Sequence, residues 1–134
     1  MYESEYHDIE DFTERSLLRR IATLFDPIGL LDPYKIRGWM LFQETWTRAF
    51  AWDTVLEDDL DRQWKTWLLE LKDLNMLNIL RHSGMNANVN TQLHDFSDAS
   101  KEAFSPTVYA RSELPKGDVV VRLVATKSRV SPLR

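Results

Sequence analysis

Apolar residues recur with the period of an α-helix along the first half of the chain. Three stretches with this spacing predict three helices, near residues 14–25, 33–50 and 57–72. Thr13 precedes the first stretch as a helix cap, with Ser16 near the third helical position. The positions that follow helical spacing, and that we expect to pack on one another, are Leu17, Leu18, Ile21, Leu24, Phe25, Ile36, Trp39, Met40, Gln43, Trp46, Phe50, Leu60, Trp64, Trp67, Leu68 and Leu71.

Prolines and acidic residues mark the ends of these helices. Asp26 is followed by Pro27, whose ring disfavours helical geometry in the preceding residue, so the first helix should end there. In Asp32-Pro33 the aspartate is expected to cap the second helix and the proline to open it, where a missing N–H costs nothing. The acidic run 57–59 suits the positive end of the third helix dipole.

The pattern changes from helical to extended after Arg81. Residues 83–90 contain one Gly, one Ser and three Asn without periodicity, which predicts a linker. Beyond the linker, three short stretches predict the strands of an antiparallel three-stranded sheet, at 92–97, 107–111 and 119–126.

These elements predict an α+β fold in four parts. A loosely ordered acidic N-terminus occupies residues 1–12, and a helical connection segment occupies residues 13–82. The linker at residues 83–90 leads to a β-region at residues 91–134. We expect the two halves to be loosely coupled, because the linker is rich in asparagine and the sheet has no helices after it.

Composition and charge exclude several classes of site. The chain has no cysteine, so it forms neither disulfides nor thiolate metal sites, and an intracellular, cytoplasmic setting is expected. No apolar run approaches the length of about 18 residues that a membrane span needs, and no secretory signal is visible. The net charge of −4 hides a gradient from an acidic start to a basic end at residues 116–134. That basic end is either a phosphate-binding surface or an ordinary solvated strand edge.

Only the stretch 93–100, with sequence LHDFSDAS, has the composition of a site. In an extended strand His94, Phe96 and Asp98 point to one face, and Asp95 points to the other. A carboxylate at such a position is able to hold a divalent cation, although Mg²⁺ needs further oxygen ligands. Asp followed by small residues is also a common turn opener, so the two interpretations stay open on the residues themselves.

Several separate motifs resemble one family. The sequence "LHDFSDASKEAF" followed by "TVYAR" and "VRLVATKSRVSPL" resembles the start of the ribonuclease H domain in BEL/Pao-type retrotransposon Pol polyproteins, a region known as the Pao retrotransposon peptidase family segment. Upstream, "RRIATLFDPIGLLDPYKIRGWMLFQETW" and "LDRQWKTWLLELKDL" resemble the connection after the reverse transcriptase in the same proteins. The resemblance runs from about Thr13 to Arg134 and keeps the order of the motifs.

The resemblance implies a narrow chemistry. Asp98 matches the first of four acidic metal ligands of the ribonuclease H fold, in which two Mg²⁺ ions clamp the scissile phosphate of an RNA–DNA hybrid. The next ligand is a Glu on the helix after the third strand, which lies beyond the last residue of this sequence. The expected sheet is therefore an incomplete ribonuclease H-like sheet. We expect this chain to bind no Mg²⁺ and to be inactive by itself, and to act with the rest of the polyprotein.

Two positions depart from the family pattern. The family usually has Gly where this chain has Asp95, which adds a negative charge three residues before Asp98. It also has a Gly-Ala pair where this chain has Ser105-Pro106. Because proline cannot donate to a β-ladder, the second strand is expected to start after Pro106. Both changes are typical of a decaying copy of a transposable element.

Two other functions compete with a polyprotein fragment. The first is a retained host protein that uses the five tryptophans of its helical segment as a non-catalytic interaction module. The second is an aspartic peptidase, which needs Asp-Thr-Gly or Asp-Ser-Gly in a dimer so that two carboxylates share a proton. The second is excluded for this segment, because Asp53-Thr54 leads to Val55 and Asp98 leads to Ala99.

Overall fold

A computed structural model of the chain describes residues 12–77 and 89–133. These residues fall into two compact units, one of residues 12–25 and 37–74 and one of residues 26–36, 75–77 and 89–133. Three helices precede an antiparallel sheet, which confirms the predicted α+β fold. The elements are α1 (Glu14–Thr23), α2 (Asp32–Thr47), α3 (Asp58–Glu70), a 3-10 turn (Asp73–Met76), β1 (Asn90–Ala99), β2 (Ala103–Glu113), β3 (Val119–Thr126) and β4 (Arg129–Val130).

Some predictions fall on residues that the structure does not describe. The acidic N-terminus at residues 1–11 lies outside the described residues, and so do residues 83–88 of the expected linker. No helix within the two described stretches combines the length and the apolar composition of a membrane span.

Helix α1 begins with the predicted cap. The Thr13 hydroxyl accepts from the Ser16 amide at 3.2 Å, and the Ser16 hydroxyl accepts from the Thr13 amide at 2.9 Å. This reciprocal pair satisfies two of the amides that a helix start leaves free. The helix ends at Thr23, two residues before the predicted end, because Leu24 already adopts an extended conformation.

Two stacked tryptophans form the centre of the helical core. The Trp64 and Trp67 rings lie 5.0 Å apart at 18°, and both side chains are buried. Leu17 and Ile21 of α1 and Leu60 of α3 are buried in the same unit. Truncating a buried tryptophan to alanine costs roughly 3–5 kcal/mol, so this pair accounts for a large part of the stability of the unit. The predicted apolar face of α3 is confirmed.

The predicted faces of α1 and α2 are wrong at two aromatic positions. Phe25 is 83% exposed and Trp46 is 56% exposed, although both follow the helical spacing. The buried face of α2 instead contains Phe42 and Thr45. Gly38 sets this orientation, because a Cβ there would lie 2.7 Å from the Trp67 ring. A glycine lets the helix approach the indole closely but adds nothing to an apolar pattern, so the sequence pattern misplaces the face.

Ion pairs around Arg48 join the end of α2 to the start of α3. The guanidinium lies 2.9 Å from the Glu44 carboxylate, 3.3 Å from that of Glu57 and 2.8 Å from that of Asp59. The hydrogen bond from Arg48 holds the pKa of Asp59 below its ordinary value. Its stabilising effect is therefore present above the ordinary aspartate pKa and is lost as acid protonates Asp59. The pairs are exposed, so each contributes little.

Helix α2 ends in a Schellman motif built on an unfavourable residue. The Phe50 amide donates to the Thr45 carbonyl at 3.1 Å, and the Ala49 amide donates to the Trp46 carbonyl at 3.0 Å. Ala49 therefore adopts a left-handed conformation with a φ of 55°. This turn ends the helix at Thr47, whereas the apolar spacing predicted an end near residue 50.

The sheet has the strand order β1-β2-β3, with β4 paired to the start of β2. All pairs are antiparallel, as predicted. Between β2 and β3 the register shifts at Val108/Tyr109, because Val108 faces Ala125 whereas Tyr109 faces Leu123. Val124 is the extra residue of this β-bulge.

The prediction that β2 begins after Pro106 is wrong, since the strand begins at Ala103. Pro106 faces Ser97 of β1, and on the other side of β2 it lies between the segments that pair with β3 and β4. The Pro106 carbonyl accepts from the Lys127 amide at 3.1 Å. Because β3 has ended at this position, no ladder bond requires the N–H that proline lacks.

Replacing Ala49 with glycine is expected to stabilise the chain. Glycine adopts a positive φ without the steric cost that a Cβ imposes, so the free energy of unfolding should rise by about 1 kcal/mol. Chemical denaturation measures this change. Ala51→Gly is the matched control, because Ala51 does not have a positive φ and should gain nothing. Equal effects of the two substitutions would contradict the role of the Schellman turn.

Candidate functional site

Asp98 is the penultimate residue of β1 and faces Ser105 of β2. Its side chain is exposed, and its Oδ1 accepts from the Ala99 amide at 2.9 Å. The residue opposite is small, so no bulky side chain on the neighbouring strand stands against the carboxylate. Asp98 thus combines a hydrogen bond from the next backbone amide with an exposed side chain.

The pairing of β1 with β2 defines which side chains share a face. His94 faces Tyr109 and Phe96 faces Thr107, while Asp95 faces Val108 on the opposite face of the sheet. The Phe96 ring meets the Tyr109 ring edge-on at 6.1 Å. Asp98 therefore lies on the same face as His94 and Phe96, and Asp95 lies on the other face, as the alternation of a strand predicts.

Four hydroxyl groups form a connected cluster beside Asp98. The Thr107 and Thr126 hydroxyls are 2.6 Å apart, and Thr126 also lies 3.3 Å from the Ser105 hydroxyl. The Ser128 hydroxyl donates to Ser105 at 2.9 Å. Because Ser105 faces Asp98, this cluster runs from the end of β3 to the strand position opposite the carboxylate. Hydrogen-bonded chains of this kind hold each member in one orientation.

The segment 26–36 binds to the end of β3 within the same unit. The Thr126 amide donates to the Ile28 carbonyl at 2.8 Å, and the Ser128 amide donates to the Asp32 carboxylate. Gly29 has a φ of 77°, and a Cβ at that position would lie 1.9 Å from the Thr126 carbonyl oxygen. The close approach therefore requires glycine.

Sequence reasoning missed this contact. Asp32 was expected only to cap α2, but its buried carboxylate also accepts from Ser128, 96 residues along the chain. The available signals were a glycine in a turn and an aspartate before a proline. Both have local explanations, so neither indicated a distant partner.

Basic residues surround the same end of the sheet. Lys101 lies in the turn that joins β1 to β2, and Arg129 faces Phe104 at the start of β2. Lys127 lies between β3 and β4, and all three basic side chains are exposed. Lys127 and Arg129 of the basic end of the chain thus lie, together with Lys101, near the end of β1 that carries Asp98.

The chain matches the profile of the Pao retrotransposon-like RNaseH-like domain over residues 13–134. The chain belongs to this family. A search of curated proteins and a search of solved structures found no match. Family membership confirms the resemblance that the motifs carried, and it covers the helical residues as well as the sheet.

RNase H-like domains generally use Mg²⁺, so the site needs side chains that are able to act as its ligands. Among residues 12–77 and 89–133, no group of three or more His, Cys, Asp or Glu side chains is close enough to hold a metal ion. Asp98 by itself does not fit a two-metal site, which needs several oxygen ligands around each ion. The described residues therefore do not by themselves form a site for two Mg²⁺ ions.

Replacing Gly29 with alanine is expected to displace segment 26–36 from β3. Gly117→Ala is the matched control, because Gly117 also has a positive φ but has no atom within 4 Å of the added Cβ. Gly29→Ala should lower the free energy of unfolding by about 1–3 kcal/mol more than the control, since only it meets the Thr126 backbone.

Chemical denaturation of both variants measures this difference, and amide hydrogen exchange locates it. The Thr126 and Ser128 amides should exchange faster in Gly29→Ala than in Gly117→Ala, because both donate to the displaced segment. Equal destabilisation with equal exchange at these two amides would contradict the proposed role of the contact.

Proposed function

We propose that this chain acts within a retrotransposon Pol polyprotein, where it contributes to reverse transcription by helping to cleave RNA–DNA hybrids. Its membership of the Pao RNase H-like family supports the class of activity. The single observation that carries the residue assignment is the exposed Asp98 carboxylate near the end of β1, opposite the small residue Ser105.

Asp98 is the residue proposed to bind Mg²⁺. Its position near the end of β1 leaves the carboxylate exposed, and its neighbours on β2 are hydroxyls rather than apolar groups. The remaining ligands come from residues other than those described, because a single carboxylate does not hold Mg²⁺ against water. The hydroxyl cluster and segment 26–36 hold the neighbouring strands in place.

The hybrid is proposed to approach the strand end that carries Asp98. Lys101, Lys127 and Arg129 are exposed there and supply positive charge for phosphate oxygens. Contacts of this kind position a nucleic acid without reading its sequence. They also offset part of the acidic net charge of the chain, which is −4.

Substituting Asp98 in the intact polyprotein tests the assignment. Asp98→Asn should reduce Mg²⁺-dependent cleavage of an RNA–DNA hybrid by more than the roughly 10–100-fold that loss of an outer-shell partner costs. Asp95→Asn is the matched control, because Asp95 is an exposed acid on the opposite face of the same strand. Full activity of Asp98→Asn, or equal losses in the two variants, would overturn the role of Asp98.

The polypeptide of 134 residues is expected to show no Mg²⁺-dependent cleavage by itself. The physical reason is the number of ligands, since no three His, Cys, Asp or Glu side chains among residues 12–77 and 89–133 are close enough together to hold a metal ion. A fluorescent RNA–DNA hybrid incubated with the purified chain and Mg²⁺ measures this. Cleavage that disappears in Asp98→Asn would show that the chain completes a site without other residues.

A second candidate function is a non-catalytic interaction module. It is favoured by exposed tryptophans: Trp46 is 56% exposed and Trp52 is 45% exposed, and each ring lies within 6.3 Å of the Phe42 ring. Tryptophan is enriched among residues that dominate binding energies. A partner captured reproducibly by the native chain, and lost with Trp52→Ser, would support this function over the first.

A further inference from the structure

Two exposed tryptophans of the helical unit, residues 12–25 and 37–74, share one buried aromatic support. Trp46 is 56% exposed and Trp52 is 45% exposed, whereas the Phe42 ring that both contact is 6% exposed. The ring centres lie 5.2 Å apart for Phe42 and Trp46, and 6.3 Å apart for Phe42 and Trp52. We call these three rings the aromatic surface. Large apolar rings in water are unfavourable, and a partner that covers them removes this cost.

A buried carboxylate holds the Trp46 ring in one orientation. The Trp46 Nε1–H donates to Glu14 Oε1 at 2.6 Å, and Glu14 is 3% exposed. Burying a carboxylate is costly, whereas an exposed indole N–H is able to hydrogen-bond to water. The dipole at the start of α1 offsets only part of this cost. The bond therefore fixes the ring rather than merely satisfying its N–H, and a fixed ring loses little conformational entropy when a partner binds.

Trp52 is also held in place, but its N–H is available to a ligand. The Trp52 carbonyl accepts from the Arg15 amide at 3.1 Å. The Arg15 guanidinium lies 5.8 Å from the Trp52 ring centre and pairs with Asp53 at 2.7 Å. Among the described residues no group accepts from the Trp52 Nε1–H. The aromatic surface thus offers one indole donor, from Trp52, since Trp46 already donates to Glu14.

The segment 44–59, which carries both indoles, is acidic. It contains one arginine and five acids, which are Glu44, Asp53, Glu57, Asp58 and Asp59. Arg48 binds three of these carboxylates and Arg15 binds one more, so the carboxylates outnumber the guanidiniums. Charge complementarity therefore favours a basic partner and disfavours a nucleic acid, whose phosphates are anionic.

We propose that the aromatic surface binds a proline-rich peptide segment with basic flanks, an inference that rests on the interaction-module function proposed above. Proline-rich segments in the polyproline II conformation dock on aromatic side chains and are already stiff before they bind. The prolines pack on the Trp46 and Trp52 rings. One peptide carbonyl accepts from the Trp52 N–H, because a polyproline II helix has no internal hydrogen bonds. The basic ends of the peptide face the carboxylates of segment 44–59.

Fluorescence anisotropy of the chain of 134 residues with a labelled peptide tests the proposal. The probe is a fluorescein-labelled hexaproline peptide with an arginine at each end, and it should bind saturably. Replacing its prolines with glycine and serine should abolish saturable binding, because a flexible peptide loses more entropy on binding. Replacing its two arginines with glutamates should raise the Kd, and the difference should shrink at high ionic strength.

Substitutions in the chain locate the binding site. Trp52→Phe keeps an aromatic ring and removes the N–H, so the Kd should rise roughly 2- to 10-fold, as expected for the loss of one hydrogen bond. Trp52→Ser removes the ring as well and should raise the Kd further. Phe25→Ser is the matched control and should leave the Kd unchanged, because Phe25 is 83% exposed in the same unit but lies outside the aromatic surface. Circular dichroism checks that each variant keeps its helices.

Four outcomes would overturn the proposal. The first is no saturable binding of the hexaproline peptide; if another partner is still captured and is lost with Trp52→Ser, the interaction module stands with a different ligand. The second is equal binding of the glycine–serine peptide, which indicates attraction by charge alone. The third is an equal rise of the Kd in Trp52→Ser and Phe25→Ser, which places the peptide elsewhere. The fourth is displacement of the peptide by a single-stranded oligonucleotide, which indicates a nucleic-acid site.

Discussion

The close approach of Gly29 to the Thr126 carbonyl is the constraint on which the sheet end depends. The missing Cβ lets segment 26–36 approach β3. There the Ile28 carbonyl accepts a hydrogen bond from the Thr126 amide, and the Asp32 carboxylate accepts one from the Ser128 amide. These bonds satisfy backbone groups that a strand end otherwise leaves to water. They also fix Ser128, whose hydroxyl reaches Ser105 opposite Asp98. A turn early in the chain thus helps to define the surroundings of a carboxylate almost seventy residues later.

The fold could be predicted where a local pattern carries the packing. The face of α3 followed from Leu60, Trp64 and Trp67, because large apolar side chains at helical spacing leave few other orientations. The face of α2 did not follow, since Gly38 lies where a Cβ would meet the Trp67 ring, and a hydrophobic pattern does not register a glycine. The start of β2 was predicted wrongly at Pro106 for a related reason. A proline is excluded only where a partner strand needs its N–H, and whether one does is decided by the ends of β3 and β4.

In the candidate site, too, the sequence predicted the local features and not the long-range contacts. The alternation of a strand was enough to place His94, Phe96 and Asp98 on one face, because side-chain direction in a strand is a local property. The hydroxyl cluster and the bond from Ser128 to Asp32 join residues as many as 96 positions apart. Serine, threonine and aspartate have local roles in turns and caps, so their type alone does not indicate a distant partner.

The β-bulge at Val124 changes the phase of β3 relative to β2. Before the bulge Leu123 shares a face with Tyr109, and after it Thr126 shares that same face with Thr107. In an uninterrupted ladder Thr126 would face Pro106 and its hydroxyl would point to the other side of the sheet, away from Asp98. The bulge thus absorbs one extra residue and keeps the hydroxyls of β3 and the carboxylate of β1 on a common surface. In the evolution of this sheet, deletion of Val124 would leave a regular ladder with Thr126 still opposite Thr107, so the bulge lets β3 gain or lose one residue without separating the two groups.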